Sequence, residues 1–154
     1  MKSIFTVFLF FLFSFLAMNK ANAQADPPVS AKLNHIAVYV SDLAKSTAFY
    51  KSLLNLPIIE EPFKDGKHVW FSLESSGQLH LIQGEFENQK FNKNEHLCFS
   101  VSSIDEFINK LDKQKIEYSN WPGTAKEPTL RVDGVKQIYF QDPDGHWLEI
   151  NDAP

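Results

Sequence analysis

The chain has 154 residues, of which 15 are basic and 19 acidic, giving a formal charge of −4. That length suits one domain large enough to bury its own core, and the acidic balance disfavours a nucleic-acid partner. Its one cysteine, Cys98, has no partner within the chain, so the fold must be held by its core or by a metal rather than by a disulfide.

After Lys2, residues 4–18 form an almost unbroken apolar run rich in Phe and Leu, followed by Asn19-Lys20-Ala21-Asn22-Ala23-Gln24-Ala25. The run falls short of the roughly 20 residues a spanning helix needs, and the alanines offer overlapping A-x-A cleavage sites. Residues 1–25 therefore read as a signal peptide cleaved after Ala23 or Ala25, although an uncleaved anchor would share the same apolar run. The mature part, 26–154, is expected in the periplasm or secreted, with no stable membrane association after cleavage. It keeps 13 basic and 19 acidic residues, a formal charge of −6.

Residues 24–32 are a polar lead-in containing proline. Residues 33–40 then alternate, with Ile36, Val38 and Val40 pointing one way and His35, Ala37 and Tyr39 the other, as in a half-buried strand. Ser41-Asp42 can cap a helix that carries Leu43, Thr47, Tyr50 and Leu54 on one face and is ended by Asn55 and Pro57. Short strand-like stretches at 57–62, 68–73 and 78–82 follow, separated by turn-forming residues 64–67 and 75–77.

The pattern repeats. Residues 94–101 alternate again, and Ser103 with Glu106 forms a capping box ahead of Ile104, Phe107, Ile108 and Leu111 at helical spacing. After a strand at 116–119, residues 120–134 are irregular and hold Trp121, Pro122, Gly123, Pro128 and the single arginine, Arg131, as a loop at the edge of a site would. Strands at 137–142 and 147–151 close the chain around Asp142-Pro143-Asp144-Gly145.

His35-Ile36-Ala37-Val38 matches His96-Leu97-Cys98-Phe99 at an offset of 61 residues. Val69-Trp70-Phe71 matches Ile138-Tyr139-Phe140, and Leu79-His80-Leu81 matches Leu148-Glu149-Ile150, both at an offset of 69. The expected fold is therefore α+β, built from two tandem βαβββ modules at about 31–84 and 92–152 whose strands form one curved mixed sheet around a cleft.

The duplication pairs His35 with His96 and His80 with Glu149. Each is flanked by apolar residues that point to the opposite face, so all four share one kind of strand face. A single strand histidine is more often structural than a ligand; ligand-capable side chains at both repeat-related pairs point to a divalent transition metal, with Zn, Ni, Mn, Fe and Co all open. His68 and His146 break the pattern and read as surface or loop-edge residues, and Cys98 as a buried small hydrophobe. Tyr39, Trp70 and Tyr139 could line a small-molecule pocket, with Arg131 as the receiver of an anionic group.

The segments Leu33-Asn34-His35-Ile36-Ala37-Val38, Glu95-His96-Leu97-Cys98-Phe99 and Ile138-Tyr139-Phe140-Gln141-Asp142-Pro143-Asp144-Gly145-His146-Trp147-Leu148-Glu149 resemble the vicinal oxygen chelate superfamily. That group holds glyoxalase I, bleomycin- and fosfomycin-resistance proteins and extradiol dioxygenases. The resemblance implies that His35, His96 and Glu149 match the recurrent metal triad, and that His80 stands where glyoxalase I carries a fourth ligand. It implies a metal acting as Lewis acid on a substrate chelated through vicinal oxygens, with Glu149 as the catalytic proton carrier. The leading expectation is an exported glyoxalase-like lyase or isomerase.

The alternatives depart from the sequence at definite points. Fosfomycin thiol transferases continue past this Glu with a basic tail, whereas only five residues follow Glu149 here. Extradiol dioxygenases need open metal positions, one of which His80 would fill, and bleomycin-resistance binding proteins generally lack the metal residues. A homodimer is expected because two modules leave sheet edges that a partner can cover, although all four candidate ligands lie in one chain.

Overall fold

The computed structural model describes residues 30–85 and 89–154, and the expected signal peptide lies outside them. Residues Lys32–Pro154 form one compact unit. Its first module runs β1 (His35–Val40), α1 (Leu43–Leu54), β2 (Ile58–Ile59), β3 (His68–Ser72) and β4 (Gln78–Gln83). The second runs β5 (His96–Ser100), α2 (Ile104–Lys113), β6 (Tyr118–Ser119), β7 (Thr129–Leu130), β8 (Lys136–Gln141) and β9 (Trp147–Asn151).

Local chemistry sets the helix ends. The Asp42 side chain accepts from the Lys45 amide at the start of α1, and Asn55 closes it in the left-handed conformation at φ 56°. Ser103 accepts from the Glu106 amide at the start of α2. Ile104, Phe107 and Leu111 are the buried face of α2, as their spacing predicts. In α1 the buried residues are Ser46, Tyr50 and Leu53, so the stripe sits one position before the expected Thr47 and Leu54. Ser46 is buried without cost because its hydroxyl donates to Asp144 Oδ2 at 3.0 Å.

In the first module the strand order is β1-β4-β3-β2; in the second it is β5-β9-β8-β6, with β7 added on β8. β1 runs parallel to β4 and β5 parallel to β9, each pair being the first and last strands of its module, while the other pairs are antiparallel. Both βαβββ modules are thus present. Their strands hydrogen-bond into two sheets, one per module, where the sequence suggests one continuous sheet. The cause lies at β1 and β5, which are the sheet edges and, among the described residues, pair only with β4 and β9.

One core nevertheless serves both modules. Val38, Val40, Tyr50, Phe71 and Leu81 pack in the same cluster as Phe107, Leu111, Phe140, Leu148 and Ile150. Phe140 makes ring contacts with Phe49 of α1 and Phe107 of α2. A polar staple reinforces this contact from the turn between β8 and β9. Asp142 Oδ2 accepts from Tyr50 Oη at 2.9 Å and pairs with His146 Nδ1, also at 2.9 Å. Its other oxygen accepts the Asp144 and His146 amides, and Asp144 in turn receives Ser41 and Ser46. The Asp-Pro-Asp-Gly turn therefore ties the second module to α1 of the first, and His146 is a partly buried member of that staple.

Candidate metal centre

Strand pairing places the four candidate ligands on comparable faces. In the first module Ala37 lies opposite His80 and Trp70 opposite His80, giving a transverse row Ala37, His80, Trp70, Ile59. In the second, Cys98 lies opposite Glu149, Glu149 opposite Tyr139 and Tyr139 opposite Ser119. His35 and His96 stand two residues before Ala37 and Cys98, on the same faces.

In the second module, His96 Nε2 is 3.2 Å from Glu149 Oε2. The other ring nitrogen, Nδ1, is 2.8 Å from the Lys93 carbonyl oxygen. A carbonyl can only accept, so Nδ1 carries a proton, and Nε2 faces a carboxylate oxygen. Two acceptors at that distance require a cation between them, either a proton on Nε2 or a metal. The donor set thus fits a divalent ion.

Glu149 is buried and richly solvated by the protein. Tyr139 Oη donates to Oε2 at 2.5 Å, Asn151 Nδ2 donates to Oε1 at 3.0 Å, and Cys98 Sγ lies 3.3 Å from Oε1. Burial alone raises the carboxyl's pKa, but the donors from Tyr139, Asn151 and Cys98 and the charge of His96 outweigh it and hold Glu149 below the ordinary glutamate value. Cys98, expected as a buried small hydrophobe, is instead exposed because it lies on the edge strand β5; the partial burial of its thiol and the neighbouring Glu149 carboxylate push that thiol up to about 12. Cys98 therefore stays protonated at neutral pH and is no nucleophile. Tyr139 is raised above the usual phenol range by burial and by its bond to Glu149.

The first module brings its pair together differently. The rings of Trp70, His80 and His35 stack in parallel, at 3.9 Å and 3° for the first pair and 4.3 Å and 6° for the second. His35 Nδ1 is 2.8 Å from Asn34 Oδ1, which leaves Nε2 for a ligand, as in His96. His80 uses Nε2 on Gln78 Oε1 at 2.8 Å, and burial, then the charges of His35 and His68, lower its pKa. An imidazole binds an ion in its ring plane, so two parallel rings cannot send lone pairs to one ion while stacked. His80 joins His35 as a ligand only if its ring turns out of the stack.

Among the described residues no group of three or more His, Cys, Asp or Glu is gathered as a metal cage would be. The His35–His80 pair and the His96–Glu149 pair are thus two separate clusters, called half-sites below, rather than the single four-residue cluster expected from the sequence. Of the proposed substrate residues, Trp70 and Tyr139 sit directly beside His80 and Glu149, and the Trp70 indole nitrogen is buried without a hydrogen-bond partner. Tyr39 is exposed at the far end of β1, packed over Gly84. Arg131 is tied to Asp133 at 2.6 Å, and its charge reaches Tyr139 and Cys98 only weakly.

Several residues around the half-sites carried no reading from sequence. Asn151 was legible in principle, since it lies two residues after Glu149 on the same strand face. Asn34 and Gln78, which hold the ring nitrogens of His35 and His80, adjoin or alternate with their histidines. Lys93, outside any strand, had no signal; its ammonium lies over Tyr139, Trp147 and Trp121 at 4.6, 4.9 and 5.6 Å.

The model of the Glyoxalase/Bleomycin resistance protein/Dioxygenase superfamily matches residues 32–150. The chain belongs to this superfamily. Among the proteins it is similar to, human mitochondrial methylmalonyl-CoA epimerase is 31% identical over 135 residues, covering 79% of this chain and 74% of that protein. The fosfomycin resistance protein FosX of Listeria monocytogenes is 30% identical over 131 residues, covering 77% of this chain and 87% of its own. A FosX variant solved with Mn(II) and 1S,2S-dihydroxypropylphosphonic acid superposes with a TM-score of 0.64 at 24% identity, over 82% of this chain and 93% of that one. The superfamily's shared fold is the two-module arrangement seen here.

Proposed function

We propose that the protein is a metal-dependent superfamily enzyme, a glyoxalase-like lyase or isomerase, acting on a small substrate held through vicinal oxygens. The observation that carries this reading is the His96–Glu149 pair, a ring nitrogen and a buried carboxylate oxygen 3.2 Å apart, both of them groups that ligate a divalent ion. His35, His96 and Glu149 would hold the ion, with His80 a fourth ligand if its ring leaves the stack. The Mn(II) in the FosX relative supports a divalent ion, whose identity in this chain stays open among Zn, Ni, Mn, Fe and Co. Such an ion supplies Lewis-acid polarisation of the bound oxygens.

The side chains do the rest. Tyr139, Asn151 and Cys98 hold the Glu149 carboxylate ionised and oriented, while the Lys93 carbonyl and Asn34 Oδ1 accept from Nδ1 of His96 and His35 and so leave each Nε2 to the ion. Glu149 is the carboxylate placed to accept and return a proton. Trp70 offers a flat apolar wall. We further propose that the half-sites complete one another in a homodimer, with the unpaired β1 edge of one chain brought to the β5 edge of its partner. Residues 1–25 would be removed on export, and the mature domain would act in the periplasm or outside the cell.

The test is a metal titration of protein beginning at residue 26, with mass by sedimentation at tens of micromolar. About one ion per chain in a dimer is expected, and His35→Ala or His96→Ala should lower affinity by roughly two orders of magnitude or more. His80→Ala is expected to cost less. Wild type that binds no metal more tightly than His35→Ala would remove the basis for the enzyme reading, and a monomer carrying full metal would remove the shared site alone.

A further inference from the structure

Lys93 approaches the Glu149 face from outside the sheet. Its Nζ donates to the carbonyl oxygens of Asn120 and Trp121, both at 2.9 Å, and to Ser119 Oγ at 3.3 Å. All three partners are neutral, and no carboxylate lies within ion-pair distance of it among the described residues. The ammonium is also walled by the rings of Tyr139, Trp147 and Trp121. It is a partly dehydrated positive charge whose partners carry no charge of their own, and burial lowers its pKa accordingly.

Its place in the register gives that charge a use. Ser119 ends the row that runs Cys98, Glu149, Tyr139, Ser119 across four strands. Neighbouring strands lie about 4.8 Å apart, so the backbone of Ser119 stands roughly 10 Å from that of Glu149 along the row. A cavity of about 300 Å³ lies beside Ser119, lined also by Tyr118, Tyr139, Gln141 and Trp147; Lys93 is outside its lining and meets it through Ser119 and the Tyr139 and Trp147 rings. Glu117 at its rim is engaged by Lys126 at 3.8 Å. The matching end of the first module's row is apolar, with Ile59 beside Trp70 and Phe63 packed edge-on against Trp70. The other cations nearby are already paired, Arg131 with Asp133 and Lys126 with Asp112 and Glu117.

We propose that Lys93 and Ser119 form an oxyanion subsite, receiving a carboxylate or phosphoryl group of a substrate whose other end is presented to Glu149. The subsite rests on the preceding reading for what occupies the other end of the row. Its chemistry follows from the bond lengths. An incoming oxyanion displaces the longest of the three bonds, Nζ to Ser119 Oγ, while the two carbonyl bonds at 2.9 Å keep the ammonium in place. The serine hydroxyl is then released to donate to the same anion, so two donors converge on one group. The substrate class is a small acid with vicinal oxygens rather than a neutral diol or ketol.

Methylphosphonate is the probe, with its neutral dimethyl ester as the control, titrated into the full chain as purified and again after metal removal. Trp121 and Trp147 flank the ammonium and report binding by fluorescence. Wild type should bind the acid in both states and the ester at least ~10-fold more weakly. Lys93→Met, which keeps the stem among the aromatic rings, should weaken the acid ~10-fold or more. Lys93→Arg should stay within ~3-fold, and Ser119→Ala should lose ~3–10-fold with Lys93 intact, which serves if Lys93→Met melts early. Equal binding by wild type and both the Lys93→Met and Ser119→Ala variants, equal binding of acid and ester, or an acid bound only by the metal-loaded form would overturn the proposal. Acid binding that persists in a protein taking up no metal would sink the metal reading and leave the subsite standing.

Discussion

Replacing Tyr139 by Phe deletes one oxygen from the centre of the second module's row and leaves the ring in place. Tyr139 is 2% exposed and Glu149 6%, so water cannot readily replace the lost donor. Oε2 of Glu149 would keep only His96 Nε2 at 3.2 Å, while Oε1 keeps Asn151 and Cys98. A hydrogen bond to an ionised group is worth about 1.5–3 kcal/mol, and with three partners remaining a loss of about 2 kcal/mol is expected at pH 7. Urea unfolding of metal-free protein measures it, as a lower midpoint at unchanged m-value. The pH dependence has a definite sign. The folded pKa of Glu149 is lowered relative to the unfolded chain. The stabilisation is therefore complete above the unfolded value, about 4.3, and is lost as pH falls through the lower folded value. The gap between wild type and Tyr139→Phe should shrink below about pH 4. A gap under about 0.5 kcal/mol at pH 7, or one that widens on acidification, would refute an ionised Glu149 stabilised by the Tyr139 hydroxyl.

Glu149→Gln should retain weak metal binding, tighter than His96→Ala but well below wild type, in a competition titration with a chromogenic chelator, because an amide oxygen can ligate but carries no charge. Gly77 sits at φ +109°, and a Cβ there would lie 2.5 Å from the backbone oxygen of Asn34. Gly77→Ala should therefore cost about 2–3 kcal/mol in urea unfolding and also weaken metal binding, since it displaces the residue that holds His35 Nδ1. Tyr50→Phe removes one of four donors to Asp142 and should cost about 1–2 kcal/mol, read from the same unfolding curves; a shift within error would mean that the staple between the modules adds nothing to stability.

The repeat was legible because both of its copies keep period-2 alternation in the first strand and a side-chain cap before the helix, signals that need no tertiary context. Asp42 and Ser103 cap as their types predict. The stripe on α1 was misplaced by one residue because Ser46 looks polar in sequence, whereas Asp144, 98 positions away, supplies the partner that lets it be buried. The same limit applies to the candidate site. Alternation shows which face His35, His80, His96 and Glu149 share within a strand, but it cannot show that β1 and β5 are unpaired edges, nor that His80 lies flat on His35. Lys93 was invisible for a related reason: its role comes from three carbonyl and hydroxyl oxygens at and beyond the end of β6 and three aromatic rings from separate segments.

The duplication also explains why the two half-sites are unlike. Both modules use one strand order and equivalent registers, so corresponding residues occupy corresponding places: Ala37 and Cys98, His80 and Glu149, Trp70 and Tyr139. In the first module the row is aromatic and its polar atoms are turned aside, His80 to Gln78 and His35 to Asn34. In the second the row is a hydrogen-bonded chain centred on an ionised carboxylate, with a cation at its outer end. A flat nitrogen-bearing surface and a charged, donor-rich one are complementary rather than redundant. Two copies of either would place like groups against like: histidine stacks with no anion to balance a divalent ion, or paired carboxylates with no apolar wall to exclude water. The mixed pair supplies both, which is why the proposed centre draws His35 from one module and His96 with Glu149 from the other.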